Sequence, residues 1–438
     1  MSIKDKIYRF LWPEKILTNQ ETSSIYSLTS SIYSFIRDKS RGSGLFCNAN
    51  VYLLLKVFYS SVSNIVFLPI SLLLYVANYR FIYGTRFQQI GEIVTLDFAI
   101  KSNKLNNNSK LILFFYPRFH DNSYFLSLYK EHVIFVDKTW LMPILLPLSH
   151  SIITRMNVVN FDSTGCGENS KIFEKFYTQY NEPLIRMSFD DIEKCEALVC
   201  KYIDKDQKIV CIHARESGFK DNYYEDSKRT TRNADINSYD LLIDKLIDLG
   251  YVVFRLGDPW MQRVPYLLKK YKENFVDYAH SNIKSEKMDI YLLSHCNFSV
   301  ASSSGPSEVA TIFNINTLLL NGYSAVNSLR GMKGDISIFK KITNINTGKV
   351  VNINRLFSKP FDQPLQNKEL NNLGYELINN SRQEVVEALE DFLIIKNQPE
   401  KIDMHSESYQ DLFKDYHYGY NSLGRFSKSF IENYIKNS

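Results

Sequence analysis

The sequence predicts an α/β protein of two domains, each built round a parallel sheet, behind a helical N-terminal region. Three observations predict this. A chain of 438 residues exceeds what one hydrophobic core commonly organises. Its 45% hydrophobic and 23% charged residues are the balance of a globular protein, not of a disordered one. Through the second half, short apolar runs alternate with helix-length segments, the pattern of βαβ units in doubly wound sheets.

Residues 1–85 read as helical, aromatic and basic, a membrane-proximal region. Lys4, Lys6 and Arg9 precede an apolar run that Pro13 interrupts, so no signal peptide is expected. The stretch VFYSSVSNIVFLPISLLLYVAN, 57–78, has no charged residue and is flanked by Lys56 and Arg80. It is long enough to span a bilayer. Its serines, Asn64 and Pro69 fit an interfacial or re-entrant segment better, and a buried core helix is the third alternative.

The first α/β domain is expected over 86–185. EIVTLDFAI (92–100), KLILFFYP (110–117) and HVIFVD (132–137) read as its strands, with KLNNNSK (104–110) as a turn. The second domain is expected over 188–396. Ser188 with Asp191 opens a helix, and strand 208–213 follows, then a long polar loop. Ser238 is expected to cap helix 239–249, which Gly250 ends before strand 251–257. Helix 286–295, strand 298–302, helix 306–313 and strand 317–320 continue the alternation. Ser381 with Glu384 is a capping box for helix 382–395. The polar, aromatic tail 397–438 is expected to pack back on the first domain.

The net charge is +5. That suits a phosphate-bearing ligand or an anionic membrane surface and is too weak to indicate nucleic acid. The six cysteines, at 47, 166, 195, 200, 211 and 296, form no C-x-x-C pair and read as reduced, buried thiols.

Ligands of open α/β sheets bind beyond the carboxyl ends of the strands. Unusual residues collect there in the second half: His213, Arg215, Glu216 and Gly218 after one strand, Gly257 and Asp258 after the next, and SSSGPSE (302–308) after a third. Charge at the end of a buried strand is expensive unless it faces a cleft. Ser303, Ser304 and Gly305 before a helix, with Pro306 in its first turn, suit an anion such as a diphosphate. Arg215 is a charge-assisted partner for it, and Glu308 could accept ribose hydroxyls. A cap and turn is the plainer explanation of the same residues. The loop 221–237 holds Lys228, Arg229, Arg232 and Asn233, and Asp235 is placed to cap the next helix.

No G-x-G-x-x-G follows a strand, and the sequence has no P-loop, G-x-S-x-G elbow or H-E-x-x-H motif. FDD (189–191) belongs to a helix start. No cofactor and no metal are therefore expected, and phosphates would be met by arginine and a helix terminus.

Three blocks stand in order: H-x-R-E at 213–216, R-N-x-x-I-x-x-Y at 232–239 and G-Y-x-V-x-R-x-G-D at 250–258. With ASSSGPSEVATIFNINTLLLN and GYELINNSRQEVVEAL downstream, they resemble a family of bacterial glycosyltransferases found with surface-polysaccharide genes. The match covers about 90–395. The H-x-R segment more distantly resembles fucosyltransferases of the GT-B fold, where the arginine holds the donor's phosphates. The resemblance implies a GT-B architecture, two Rossmann-like domains facing a cleft. The second would bind a nucleotide-sugar donor, and the first a glycan or lipid-linked glycan acceptor.

His213, Arg215, Glu216, Arg232, Asn233, Gly257, Asp258, Ser303, Ser304, Gly305 and Glu308 are then the donor-side candidates. The family often carries histidine after the glycine where this chain has Gly91-Glu92. Glu92 becomes a candidate catalytic base, with Asp121 as its rival. The implied activity is a metal-independent, inverting transferase at the cytoplasmic face of the cell membrane. The alternative, motivated by Glu92, is a non-catalytic, membrane-docked glycan-binding or assembly protein.

Overall fold

The structure is a computed structural model. It describes residues 69–70, 72–82, 90–106, 108–114, 122–136, 158–159, 165–204, 206–216, 230–398, 401 and 407–436. The chain divides into two compact units, one of residues 1–86, 102–120 and 130–162, the other of residues 87–101, 121–129 and 163–438.

The first unit carries a four-stranded parallel sheet. Its strands are β1 (Tyr79–Ile82), β2 (Lys110–Phe114), β3 (Val133–Val136) and β4 (Val158–Val159), in the order β3-β2-β1-β4. Two sequence expectations are corrected here. β1 lies inside the region expected to be helical. Residues 92–100, expected as a strand, belong to a helix, α1 (Ile90–Asn106). Ile93, Val94, Leu96, Asp97, Ala99, Ile100 and Lys101 are all buried in it. A helix buried nearly all round loses the polar stripe by which a helical period is recognised, and its apolar run imitates a strand.

Residues 69–70 and 72–76 are helical, and Leu73 and Val76 are 70% and 84% exposed. Among the described residues no helix is long and apolar enough to cross a membrane. Most of 57–78 lies outside the described residues.

The second unit is organised by a seven-stranded sheet. Its strands are β5 (Lys208–His213), β6 (Tyr251–Arg255), β7 (Phe275–Val276), β8 (Phe298–Ala301), β9 (Thr317–Gly322), β10 (Ile336–Phe339) and β13 (Arg425–Phe426). They lie in the order β13-β10-β9-β8-β5-β6-β7, every neighbouring pair parallel. From β5 the chain builds outward through β6 and β7, then returns to the other side of β5 for β8, β9 and β10. The order therefore reverses between β5 and β8, and an open sheet leaves a crevice at such a point, beyond the strand carboxyl ends. β11 (Lys341–Asn344) and β12 (Tyr375–Ile378) form a separate antiparallel pair.

The strands of this sheet are buried and rich in Val, Ile, Leu and Phe, as parallel strands covered on both faces must be. Helices α2 (Ser123–Ser127), α3 (Gly165–Tyr180), α4 (Phe189–Val199), α5 (Asp240–Asp248), α6 (Pro265–Tyr271), α7 (Glu286–His295), α8 (Gly305–Ile312), α9 (Arg382–Asn397) and α10 (Lys428–Lys436) belong to this unit. Ser188 caps α4 through Asp191 N–H, and Ser381 and Glu384 form the expected capping box.

Ser238 does not cap α5. Asp235 starts a 3-10 turn at Ile236 by accepting from Asn237 N–H, and Ser238 donates to the Asp235 carbonyl instead. The tail is corrected as well. It adds β13 to the edge of the large sheet beside β10, and α10 packs on α9, where Asp391 accepts from Ser427 Oγ at 2.7 Å and Ser429 N–H at 2.9 Å. Buried Phe426, Phe430 and Tyr434 surround Phe339.

Candidate functional site

A cavity of about 330 Å³ opens at the reversal of strand order. The segments after β5, β6 and β8 all reach it. His213, Arg215 and Glu216 come from the first, Leu256, Gly257, Asp258, Pro259 and Met261 from the second, and Ser304, Gly305 and Pro306 from the third. Ile90 of α1, Asn122 before α2, and Lys284, Ser285, Glu286, Asp289 and Leu293 at and within α7 complete the wall.

The strand ends are tied to one another. The Ser302 amide donates to the His213 carbonyl at 2.9 Å, and the Arg215 amide donates to Ser302 Oγ at 2.8 Å. Ser304 is the N-cap residue of α8, yet its side chain makes no capping bond. Its hydroxyl lies 2.9 Å from His213 Nδ1 and 3.0 Å from the Ser302 carbonyl. The helix thus begins without a side-chain acceptor on its first amides, the arrangement in which a helix N-terminus takes an anion.

Close approach is built in beside it. A Cβ on Gly305 would meet Gly91 N at 2.9 Å and Ile90 Cγ2 at 2.8 Å, so the starts of α8 and α1 touch backbone to backbone. Glu92 is the next residue of α1, partly buried in its first turn. Gly257 has the same kind of reason: a Cβ there would lie 2.5 Å from Met261 Sδ.

Positive charge surrounds His213. Burial above all, then Arg215, Arg255, Lys284 and Arg232, drive its imidazolium pKa down to about 3, so the ring is neutral at physiological pH. Lys284 pairs with Asp289 in the same wall.

Below the cavity Arg255 closes β6, fully buried. It donates to Asp277 Oδ1 at 2.8 Å, Glu216 Oε2 at 2.5 Å and the Gln262 carbonyl at 2.8 Å. Burial raises the Glu216 carboxyl pKa, against the pull of Arg255. His280 bridges Asp277 Oδ2 at 2.8 Å and the Met261 carbonyl at 2.9 Å, so the loop 257–262 rests on this network.

Of the residues singled out in the sequence, His213, Arg215, Glu216, Gly257, Asp258, Ser304 and Gly305 line one cavity. Arg232 and Ser303 stand behind its wall. Arg232 Nε and Nη2 both donate to the Ser303 carbonyl, at 2.8 and 2.6 Å, and the Asn233 carbonyl accepts from buried Lys340 at 2.6 Å. Glu308 is not in the wall, and its carboxylate is paired with Arg330 at 2.6 Å. Asp121 and the loop 217–229, with Gly218, Lys228 and Arg229, lie outside the described residues.

Sequence reasoning missed Asn122, Lys284, Ser285 and Glu286. Glu286 accepts from the Ser123 and Tyr124 amides at 2.8 and 3.1 Å, while Asn122 Nδ2 donates to the Glu286 carbonyl at 3.0 Å. Two short helix starts therefore clasp each other. The signal available was Lys-Ser-Glu before an apolar run, which reads as a helix start and nothing more.

Cys195, Cys211 and Cys296 are buried free thiols, whereas Cys200 is exposed. Among the described residues no group of three His, Cys, Asp or Glu side chains is placed to hold a metal ion.

No family model and no curated protein matches the chain. Among solved structures it is similar to a family 9 glycosyl transferase from Veillonella parvula, at 12% identity over 72% of this chain and 97% of that one, with a TM-score of 0.44. It is also similar to the E. coli ADP-heptose lipopolysaccharide heptosyltransferase II, at 12% identity over 73% and 99%, with a TM-score of 0.41. At identities and superposition scores this low, neither likeness assigns a fold or a function to this chain.

Proposed function

We propose that this chain is a glycosyltransferase that moves a sugar from a nucleotide-activated donor to a surface-glycan acceptor, free or lipid-linked. One observation carries the reading. The ends of parallel strands and the uncapped start of α8 meet in a single cavity with Arg215 and Lys284 in its wall. Arg215, helix-start amides and a hollow of small-ligand size suit the diphosphate of a sugar nucleotide, while Lys284 is paired with Asp289 and the other wall carboxylates are Glu216, Asp258 and Glu286.

In this reading the acceptor hydroxyl oxygen attacks C1 of the donor sugar. The bond from C1 to the diphosphate oxygen breaks, and its electron pair leaves with the nucleoside diphosphate. Arg215, Lys284 and the first turn of α8 meet that growing negative charge, which makes the reaction metal-independent. The acceptor's proton goes to a carboxylate, Glu92 or Asp121. A single displacement inverts C1. The GT-B organisation belongs to the same proposal. So does docking at the cytoplasmic face of the membrane through 57–78, which the exposed Leu73 and Val76 support.

Calorimetry of the full chain with UDP-, GDP-, ADP- and CMP-sugars tests the reading, followed by product analysis with glycan acceptors. The expected result is binding of one nucleotide class, with Arg215→Ala losing binding and transfer while its melting temperature stays near wild type. Normal turnover by Arg215→Ala would remove the site assignment. Binding with no transfer or hydrolysis of any donor would favour the non-catalytic alternative.

A further inference from the structure

His213 differs in kind from the cations around it. The Ser302 carbonyl lies at the turn where the next backbone amide of that strand end, Arg215 N–H, goes to the Ser302 hydroxyl instead. Ser304 Oγ donates to that carbonyl at 3.0 Å. With its one proton on that carbonyl, Ser304 Oγ accepts from His213 Nδ1, 2.9 Å away. In that arrangement the ring hydrogen is on Nδ1, and Nε2 carries a lone pair. His213 lines the cavity, and Nε2 is the ring nitrogen that Ser304 does not engage. Burial and the neighbouring guanidinium and ammonium groups keep the ring from taking a second proton.

A lone pair repels a phosphate oxygen and accepts from a hydroxyl. We propose that His213 is a specificity residue whose Nε2 accepts a hydrogen bond from a hydroxyl of the sugar nucleotide, on the ribose or on the transferred sugar, beside the diphosphate. This rests on the donor-site reading above. It separates two jobs within one wall: Arg215 answers to charge, and His213 answers to a hydroxyl.

Two substitutions divide the ring's two nitrogens. His213→Asn keeps an N–H for Ser304 and lacks the acceptor. His213→Gln extends an amide oxygen toward the position of Nε2. Calorimetry on the full chain uses inorganic pyrophosphate, then UDP, GDP and ADP, then their hexose conjugates.

The expected result is that His213→Asn binds the preferred sugar nucleotide about fivefold to tenfold more weakly, the scale of one neutral hydrogen bond. Pyrophosphate affinity is unchanged, and His213→Gln recovers most of the loss. A loss shared by the bare nucleotide assigns the hydroxyl to ribose. A loss confined to the conjugate assigns it to the transferred sugar. If pyrophosphate weakens equally, or no probe weakens, the proposal is overturned while the donor site stands. If the wild type binds none of the probes, the donor-site reading falls and takes the proposal with it. An independent arm is the long-range proton–nitrogen spectrum of histidine-labelled protein, with His213→Asn as the assignment. The Nδ1–H tautomer, unchanged between about pH 7.5 and 5.5, is expected, and the Nε2–H tautomer or a titration in that range would overturn it.

Discussion

Gly91 and Gly305 meet without side chains: a Cβ on Gly91 would lie 2.9 Å from Gly305 Cα. Neither glycine is called for by a left-handed backbone. Both are called for by space, because two helix starts approach each other beside the cavity. Gly91→Ala or Gly305→Ala must push them apart. Overpacking of this kind costs about 1–3 kcal/mol. Urea denaturation should show that loss, and nucleotide affinity should fall with it, since the first turn of α8 is displaced. Unchanged affinity in both variants would separate this contact from the site.

Arg255 is the strongest candidate for a structural cation under the cavity. It is fully buried against Glu216, Asp277 and a carbonyl. Removing one partner of such a pair leaves buried charge uncompensated and costs about 3–5 kcal/mol. Arg255→Met should therefore destabilise the fold by that order in urea denaturation. Arg215→Ala, at the cavity itself, should affect binding and leave stability nearly untouched. Similar losses of stability in the two variants would contradict this division.

His213 gives stability a pH dependence of known sign. Unfolded, the ring takes a proton near pH 6.5, whereas the folded ring refuses it until about pH 3. Between those values the unfolded state binds more protons, so stability falls as the pH drops. At pH 5 this one group lowers stability by about 2 kcal/mol relative to pH 7. Asp335 works in the opposite direction. Burial raises its carboxyl pKa from 3.8 to about 6, so its contribution declines as the pH rises through that interval. Thermal melts from pH 7 to 5 should show the wild type losing more stability than His213→Asn. Parallel curves would remove the assignment of a neutral, buried ring.

Strands β5, β6, β8 and β9 were legible because they end abruptly in polar residues, and α4 and α9 because they open on ordinary caps. Helix α7 lies where the sequence places it, and the Ser381–Glu384 box is formed. His213, Arg215, Gly257 and Ser304 could be grouped by one rule, that parallel strands present ligands at their carboxyl ends. Lys284 and Glu286 escaped that rule because they reach the cavity from a helix start between two strands. Helix α1 escaped for a different reason. Burial of Asp97 and Lys101 as a pair 2.6 Å apart allows polar residues on an inward face, which hides the amphipathic period. The end of the chain was misplaced because Arg425 and Phe426 supply too short a strand to leave a pattern.

That short strand bears on how the protein is made. A ribosome that has translated only as far as α9 has released a sheet whose β10 edge, Ile336–Phe339, still waits for Arg425–Phe426. Phe339 is then without the aromatic cover of Phe426, Phe430 and Tyr434. The nascent unit carries an open, apolar β-edge until residue 434 has left the ribosome, the kind of surface that chaperones hold and that neighbouring chains pair with.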